Sequence, residues 1–596
     1  MLKDLKRNLW GYVDIYFKKV SNYVILHGSH YEICNKIIPN LLNFICGIFN
    51  NEKLFDQVIE ENDLEKYYKE LDCPNNQISS ELNSFFQFLK SNEIKCSTEG
   101  IDRVEHSHGQ LSVDEIYRLR YGDHKRISLV DIVVYPTKED QIQHIYTEAK
   151  EKSYKIIPYG GGTNVTGCLM INKSDDKKLY ISMDMRYFNK ILEVNTSNNY
   201  AIIQSGACGR EIEDHLNILG YTMGHEPDSY EFSTLGGWIS TYASGMRRYK
   251  YGNIEDIVID FGYINDYSKK IDISFPVRYS HGSKINNILF GHEGNLCIIT
   301  DVLVKIKKIS EETLFDSVLL YNITDGIKFL KEVHESNIQL SSIRLVDNEQ
   351  FKFGQALKPQ KTFFKSLIDK ITKFYLFNIL KFDPHQMVAC TLMFEGSSEQ
   401  NKFNLNLIKK IALKYNAILG GSENGKTGYN LTHSIAYIRD FTHEYNIIAE
   451  TFETSIEWSK IEKMAESVKL TCKKEAEQYL KNYKPFISYR ISQLYDTGVC
   501  VYFTFSFYNK DTAEKGIEIY HTLENKMREV MIENGGSISH HHGIGQIKND
   551  ELINHLKKTD NFNILKLNKL IKRLFDKDNV LANNCLLIGQ TNKSKN

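Results

Sequence analysis

The stretch Ile156-Ile-Pro158-Tyr159-Gly160-Gly161-Gly162-Thr163-Asn164-Val-Thr166-Gly167 restricts what this chain can be more than any other. A β-rich run enters three consecutive glycines, so the backbone can turn tightly and bring its N–H groups against a ligand. Thr163, Asn164 and Thr166 add donors, and such a nest suits a pyrophosphate. The spacing is neither G-x-G-x-x-G nor a phosphate loop ending in G-K-[ST]. Taken alone, the triplet reads equally well as a Gly-rich turn with no ligand.

A second block shifts that balance. From Gly224 to Asp256 the chain is dense in Gly, Ser and Thr yet carries Trp238 and Phe232, which no flexible linker would. Small residues there permit close backbone approach, and the hydroxyls can serve a polar ligand. A third piece, Gly291-His292-Glu293-Gly294-Asn295-Leu296, precedes a strand.

The surroundings predict α/β organisation. Val130–Tyr135 is a short β-rich run ended by Pro136, Glu139–Lys152 a helix opening on acids, and Lys155–Ile157 a strand into the triplet. Strands are also expected at 179–182, 190–194, 201–204, 296–306, 388–394 and 500–507. Residues 1–125 read as mostly helical from Ile37, Ile38, Leu41, Leu42 and Ile45 at helical spacing. The expected divisions are 1–125, a helical N-terminal region; 126–310, a ligand-binding domain; 311–555, an α+β cap; and 556–596, a helical segment. A chain of 596 residues exceeds one core.

Composition excludes several classes. Lys+Arg total 74 against 75 Asp+Glu, which argues against disorder and against bulk binding of nucleic acid. Eleven cysteines without a C-x-x-C pair argue against a disulfide framework and a zinc ribbon. No spanning helix and no secretory signal are expected. Ser594-Lys595-Asn596 departs from the peroxisomal Ser-Lys-Leu address at its last residue.

The triplet loop, the Pro227-Asp228…Ser233-Thr234-x-Gly236-Gly237…Ala243-Ser244-Gly…Tyr251-Gly-Asn-Ile-Glu-Asp256 block and the Glu293-Gly294 turn together resemble the FAD-binding domain of the vanillyl-alcohol-oxidase type. More narrowly, the chain resembles the alkyldihydroxyacetonephosphate synthase family from about Trp10 to Leu587. Gly224-His225-Glu-Pro-Asp-Ser, Ser342-Ile-Arg344-Leu-Val-Asp-Asn, Ala436-Tyr-Ile-Arg439-Asp, Val501-Tyr502-Phe and Ser539-His540-His541-His542-Gly543-Ile-Gly545 carry that resemblance. It implies an α+β fold: a two-subdomain FAD-binding domain plus an α+β cap with an antiparallel sheet. It also implies a redox-neutral exchange in which acyl-dihydroxyacetone phosphate loses its fatty acid to a long-chain fatty alcohol, flavin N5 holding the substrate carbon. A homodimer and a peroxisomal location follow from the same resemblance.

The resemblance assigns FAD to Pro158, Tyr159, Gly160–Gly162, Thr163, Asn164 and Gly167. To these it adds Asp228, Ser229, Tyr230, Glu231, Phe232, Ser233, Thr234, Gly237, Thr241, Tyr242, Ala243 and Ser244, and then Glu293, Gly294, Asn295, Leu296, Cys297, Ile298 and Ile299. The 158–167 loop has no His or Cys, so a dissociable flavin is expected. Asn295 and Cys297 stand where Thr and Gly are usual, and Cys297 puts the local backbone in question. His225 fits the family pattern; His292 stands where Ser is usual and is given no role.

Tyr502 matches the catalytic tyrosine; a phenol with a pKa near 10 needs cations or a flavin nearby to act as a base. The plainer reading is a core aromatic between Val501 and Phe503. Arg439 matches a substrate-binding arginine, its guanidinium suiting a phosphate, while a surface ion pair with Asp440 or Glu444 is the alternative. Arg344 is either a phosphate or flavin-side contact or a buried partner of Asp347. His540, His541 and His542 read as acid–base or hydrogen-bonding groups; consecutive residues rarely converge on one ion, so no metal is expected. Phe364, Leu367, Ile368, Ile371 and Phe374 share a Lys-edged helical face that suits a membrane surface or an ordinary buried packing face.

The competing enzyme on the same fold is an FAD-dependent 2-hydroxyacid dehydrogenase, which typically carries Gly-Glu-His-Gly where this chain has His540-His541-His542-Gly543. A non-enzymatic scaffold would have no use for Tyr502, Arg439 and the histidine run together.

Overall fold

The computed structural model describes residues 5–587 apart from 73–78, 111, 172, 174–177, 272–276, 279, 281, 283, 361, 481–482, 562 and 582–584, and apart from the side chains of 112 and 363–368. Two compact units share the chain. The first comprises Met1–Glu60, Met246–Lys250 and Ser310–His540; the second comprises Glu61–Gly245, Tyr251–Ile309 and His541–Asn596.

The first unit begins with a small antiparallel sheet of β1 (Tyr16–Val20), β2 (Tyr23–His27) and β3 (Ile37–Ile38). The helical expectation for the N-terminal stretch fails here. Val20 faces Tyr23 across a two-residue turn, with Ser21 at φ 55°, and such a hairpin fixes register locally. Leu41, Leu42 and Ile45 do form the buried stripe of a helix, Leu41–Phe49.

In the second unit β4 (Lys95–Ser97), β5 (Ile132–Tyr135), β6 (Lys155–Tyr159) and β7 (Tyr180–Asp184) form a sheet ordered β4-β5-β7-β6, with β5 and β6 parallel to β7. Parallel strands need a crossover, and helix Glu139–Lys152 supplies it. Glu139 and Asp140 sit at its positive end, and Ile142, Ile145, Tyr146 and Ala149 are buried. Next come β8 (Ile191–Asn195), β9 (Tyr200–Gln204), β10 (Tyr221–Thr222), β11 (Val258–Ile264), β12 (Ile298–Lys305) and β13 (Lys307–Lys308). They make an antiparallel sheet ordered β11-β12-β9-β8 and a separate β10–β13 pair.

The first unit resumes with β14 (Glu312–Leu320), β15 (Ser342–Val346), β16 (Val388–Gly396), β17 (Ile418–Leu419), β18 (Ile447–Glu457), β19 (Phe486–Leu494) and β20 (Gly498–Tyr508). All pair antiparallel, in the order β17-β14-β16-β15-β19-β20-β18. Because side chains alternate along a strand, the register sorts this sheet into two unlike faces. Ile343, Leu345, Leu392, Phe452, Ile491, Val501, Phe503 and Phe505 share one face. Helices Ile323–Glu335, Ile461–Leu480 and Ala513–Glu533 cover it: Lys469 reaches Tyr489, Tyr520 stacks on Phe505, and Arg528 lies over Phe452. The opposite face carries Arg344, Thr391, Ser488, Arg490, Tyr502 and Glu453. Charged and polar side chains this deeply buried are rare unless they are partnered or serve a site.

Candidate active site

In the second unit the glycine triplet and the Phe232–Thr234 segment are packed backbone to backbone. A Cβ on Gly161 would lie 2.0 Å from the Phe232 carbonyl oxygen, and one on Gly160 would lie 2.3 Å from Thr234 Oγ1. Gly162 has φ +67°, the left-handed region that glycine adopts without a steric cost. A side chain at any of the three positions would force its neighbours to move or strain the backbone. The N–H groups of Gly161, Gly162 and Thr163 are taken by no protein acceptor among the described residues.

Behind the loop, Tyr159 packs on His106 with ring centres 4.4 Å apart and lies under the Arg186 guanidinium. His106 Nε2 is 3.0 Å from Asp184 Oδ2, and Arg186 donates to the same carboxylate at 2.7 Å. Burial alone would raise the Asp184 carboxyl, but Arg186 and His106 hold it well below the usual carboxylate range. This His–Asp–Arg support escaped sequence reasoning, because His106 lies 78 positions before Asp184.

Several expected flavin residues spend their polar atoms inside the protein. Ser233 Oγ accepts from Trp238 Nε1 at 2.7 Å, Glu231 pairs with Arg210 at 3.1 Å, and Asn164 Oδ1 accepts from the Cys168 N–H at 3.0 Å. Thr234 caps helix Leu235–Thr241, and the Ser244 hydroxyl donates to Asn253 Oδ1 at 2.5 Å. Tyr242 is stacked on Phe290. Cys297 sits buried beside His292 outside the positive-φ region, so the substitution of the usual glycine is accommodated.

Glu293 has a structural role. Its carboxylate accepts from the N–H groups of Ile544 at 2.6 Å and Gly545 at 2.9 Å. Burial pushes the Glu293 carboxyl up, while those two donors pull it down. Gln546 N–H donates to the Thr166 carbonyl at 3.0 Å, and a Cβ on Gly545 would lie 1.8 Å from that oxygen. The triplet loop, the Glu293-Gly294 turn and the segment after the histidine run thus meet within one unit. The chain crosses between units inside that run: His540 belongs to the first, while His541 and His542 belong to the second, their rings 4.6 Å apart.

In the first unit Arg490, Tyr502 and Glu453 form one cross-strand row over β19, β20 and β18. The Arg490 guanidinium lies 4.0 Å from the Tyr502 ring centre. Glu453, fully buried, accepts from the Ser539 hydroxyl at 2.8 Å and the His540 N–H at 2.5 Å. Tyr502 therefore does sit on a core strand, but on its polar face. Arg344 donates to Thr432 Oγ1 at 2.7 Å and lies over the Tyr429 ring. Asp347 is held by Lys469 at 3.1 Å. Arg439 pairs with its neighbour Asp440 at 2.9 Å on helix Thr432–His443, the same helix whose first residue holds Arg344. Arg490 and Glu453 were absent from the sequence-based assignments; the signal for Arg490 is the single charge in its strand, whereas Glu453 is one of three glutamates in its own.

Residues 130–269 match the family described as FAD binding domain, and residues 309–584 match the C-terminal domain of FAD linked oxidases. An alkyldihydroxyacetonephosphate synthase of Caenorhabditis elegans is 36% identical over 97% of this chain and 94% of its own length; one of Dictyostelium discoideum is 30% identical over 74% and 71%. The chain belongs to the alkyldihydroxyacetonephosphate synthase family. A solved structure of such a synthase superposes with a TM-score of 0.81 at 25% identity, covering 98% of both chains. The family is FAD-dependent, and FAD is the cofactor here. The second unit fits it: the bare cradle of Gly160–Gly162 and the unclaimed N–H groups that follow suit a pyrophosphate.

Proposed function

We propose that this chain converts acyl-dihydroxyacetone phosphate and a long-chain alcohol into the alkyl ether and a fatty acid, with no net oxidation. The row Arg490–Tyr502–Glu453 supports this reading best. It gives a buried phenol a cation on its face, in the unit that also holds Arg344 and Arg439 for a phosphate. Bound FAD, without a covalent link to the protein, would supply the nitrogen that retains the substrate carbon while its oxygen substituents change places.

Tyr502 takes the proton from the carbon between the ketone and the ester oxygen. The bond from that carbon to the acyl oxygen breaks and the fatty acid leaves as a carboxylate. The alcohol oxygen then bonds to the same carbon, Tyr502 returns a proton to it, and the hydroxyl proton departs with the fatty acid. Arg344, and Arg439 in exchange for Asp440, bind the phosphate. His540, His541 and His542 supply hydrogen bonds and proton exchange to the leaving carboxylate.

The test is turnover of acyl-dihydroxyacetone phosphate and hexadecanol by the purified yellow protein without an electron acceptor. Ether formation supports the reading; a requirement for an acceptor assigns the chain to the dehydrogenases instead. Tyr502→Phe should abolish turnover while leaving FAD bound.

Two further parts of the reading rest on family resemblance, a homodimer and a peroxisomal location; sedimentation and imaging of the full chain test them. Membrane contact rests on the helix Phe363–Phe374, where Ile371 and Phe374 are each 62% exposed beside Lys370 and Lys373. Among the described residues no helix is long and apolar enough to cross a membrane, so contact would be peripheral. The side chains of Phe364, Leu367 and Ile368 lie outside the described residues.

A further inference from the structure

Arg490 is given no step in the reaction above. It is 8% exposed and Tyr502 is 9% exposed. A guanidinium this deeply buried is costly unless something repays its desolvation. It stands directly opposite Tyr502 in register, with its guanidinium carbon 4.0 Å from the ring centre. A cation stacked on an aromatic face is attracted by the ring, and a nearby positive charge favours the phenolate over the phenol.

Beside Tyr502, side-chain atoms of Glu453 and Cys500 lie within 4.8 Å of a His540 ring nitrogen. From β18 come Glu453, directly across, and Thr451, whose hydroxyl donates to the Tyr502 oxygen at 3.5 Å. Cys500 and Thr504 share the face on β20 itself, and Arg344 lies on the same face two strands away. Glu453 opposes the effect of Arg490, but its charge is already shared with the Ser539 hydroxyl and the His540 N–H. Arg490 is in contact with the ring itself.

We propose that Arg490 is a positioning residue for Tyr502: stacked on the ring, it fixes the plane of the phenol and favours the deprotonated form that accepts the substrate proton. This rests on the reading of Tyr502 as the base, and the experiment separates the two.

Near-ultraviolet absorbance titration of the FAD-loaded chain, with the Tyr502→Phe protein subtracted, isolates the Tyr502 phenolate; the same subtraction is made in the Arg490→Gln background. The expected result is a midpoint about one pH unit or more higher without the cation. Arg490→Met, which keeps the packing of the stem, replaces Gln if that variant does not fold, with the same expectation. Arg490→Lys restores part of the shift, and the rising limb of the kcat pH profile moves with the midpoint. Equal midpoints with and without the cation overturn the proposal. So does turnover lost equally at every pH, the signature of a merely structural arginine. Absence of ether formation in the wild type defeats the functional reading alone, because the titration still reads the coupling. Full turnover in Tyr502→Phe removes the base, and the proposal falls with it.

Discussion

The hydroxyl of Tyr495 lies 2.6 Å from Nε2 of His540. The same phenol reaches Gln493 Oε1 at 3.0 Å and carries Arg248 over its ring at 3.9 Å, while the His540 backbone is held by Glu453. The first histidine of the run is therefore fixed at both its side chain and its main chain, which leaves the ring one orientation. Tyr495→Phe removes the side-chain hold and keeps the packing. It should lower kcat by about 10²-fold, with KM changed little, in steady-state ether formation.

Glu453 anchors two donors from a fully buried position. Glu453→Ala leaves the Ser539 hydroxyl and the His540 N–H without that acceptor, at a cost of about 1–3 kcal/mol. Glu453→Gln keeps one acceptor oxygen and should recover part of it. Urea unfolding of the three proteins gives the ordering; equal stability of the Ala and Gln variants would contradict it.

Gly161→Ala places a methyl 2.0 Å from the Phe232 carbonyl. The two segments must separate, at about 1–3 kcal/mol in stability. The variant should purify with a lower flavin-to-protein absorbance ratio, even where its circular dichroism matches the wild type.

Asp301 on β12 has its carboxyl pushed up to about 6, first by burial and then by Glu139, against the pull of Lys270. The folded chain thus binds this proton more tightly than the unfolded chain. The stabilisation is complete below the unfolded value of 3.8 and is lost as pH rises to about 6. Asp301→Asn should be more stable than the wild type at pH 7, with the advantage gone near pH 4. Denaturation midpoints at the two pH values check it.

Ile371 and Phe374 are exposed apolar residues among the described side chains of a Lys-edged helix. Replacing both by Ser removes surface worth about 1.5–3 kcal/mol per fully buried side chain. Binding to anionic liposomes should weaken about tenfold or more, and unchanged sedimentation with vesicles would remove this helix from the interface.

Much of the fold was legible because periodicity and punctuation agreed. Helix Glu139–Lys152 has its sequence-derived bounds, with acids at one end and the buried neighbours Ile142 and Tyr146 four apart inside. The strands around the glycine triplet were found because Pro136 and Gly160 mark their ends. The N-terminal sheet was missed because Ile37 and Ile38 continue a helical rhythm into Leu41, while the hairpin signal sits in the inconspicuous pair Ser21-Asn22. Among the candidate site residues, Tyr502 and Arg439 were singled out through their motifs. Glu453 and Arg490 were not, since Arg490, the single charge in Phe486–Leu494, and Glu453, one of three glutamates in Ile447–Glu457, gain their meaning only from register with Tyr502.

The second unit takes its last piece from His541–Asn596. A ribosome releases this chain from its N-terminus, so β5, β6 and the glycine loop emerge long before Ile544 and Gly545 can donate to Glu293. Until then a carboxylate destined for the interior has no such donors, and the nascent flavin-binding half cannot close around it. Cofactor capture is thereby a late event in biosynthesis, and a chain truncated before His541 should be made without flavin however sound its first 540 residues are.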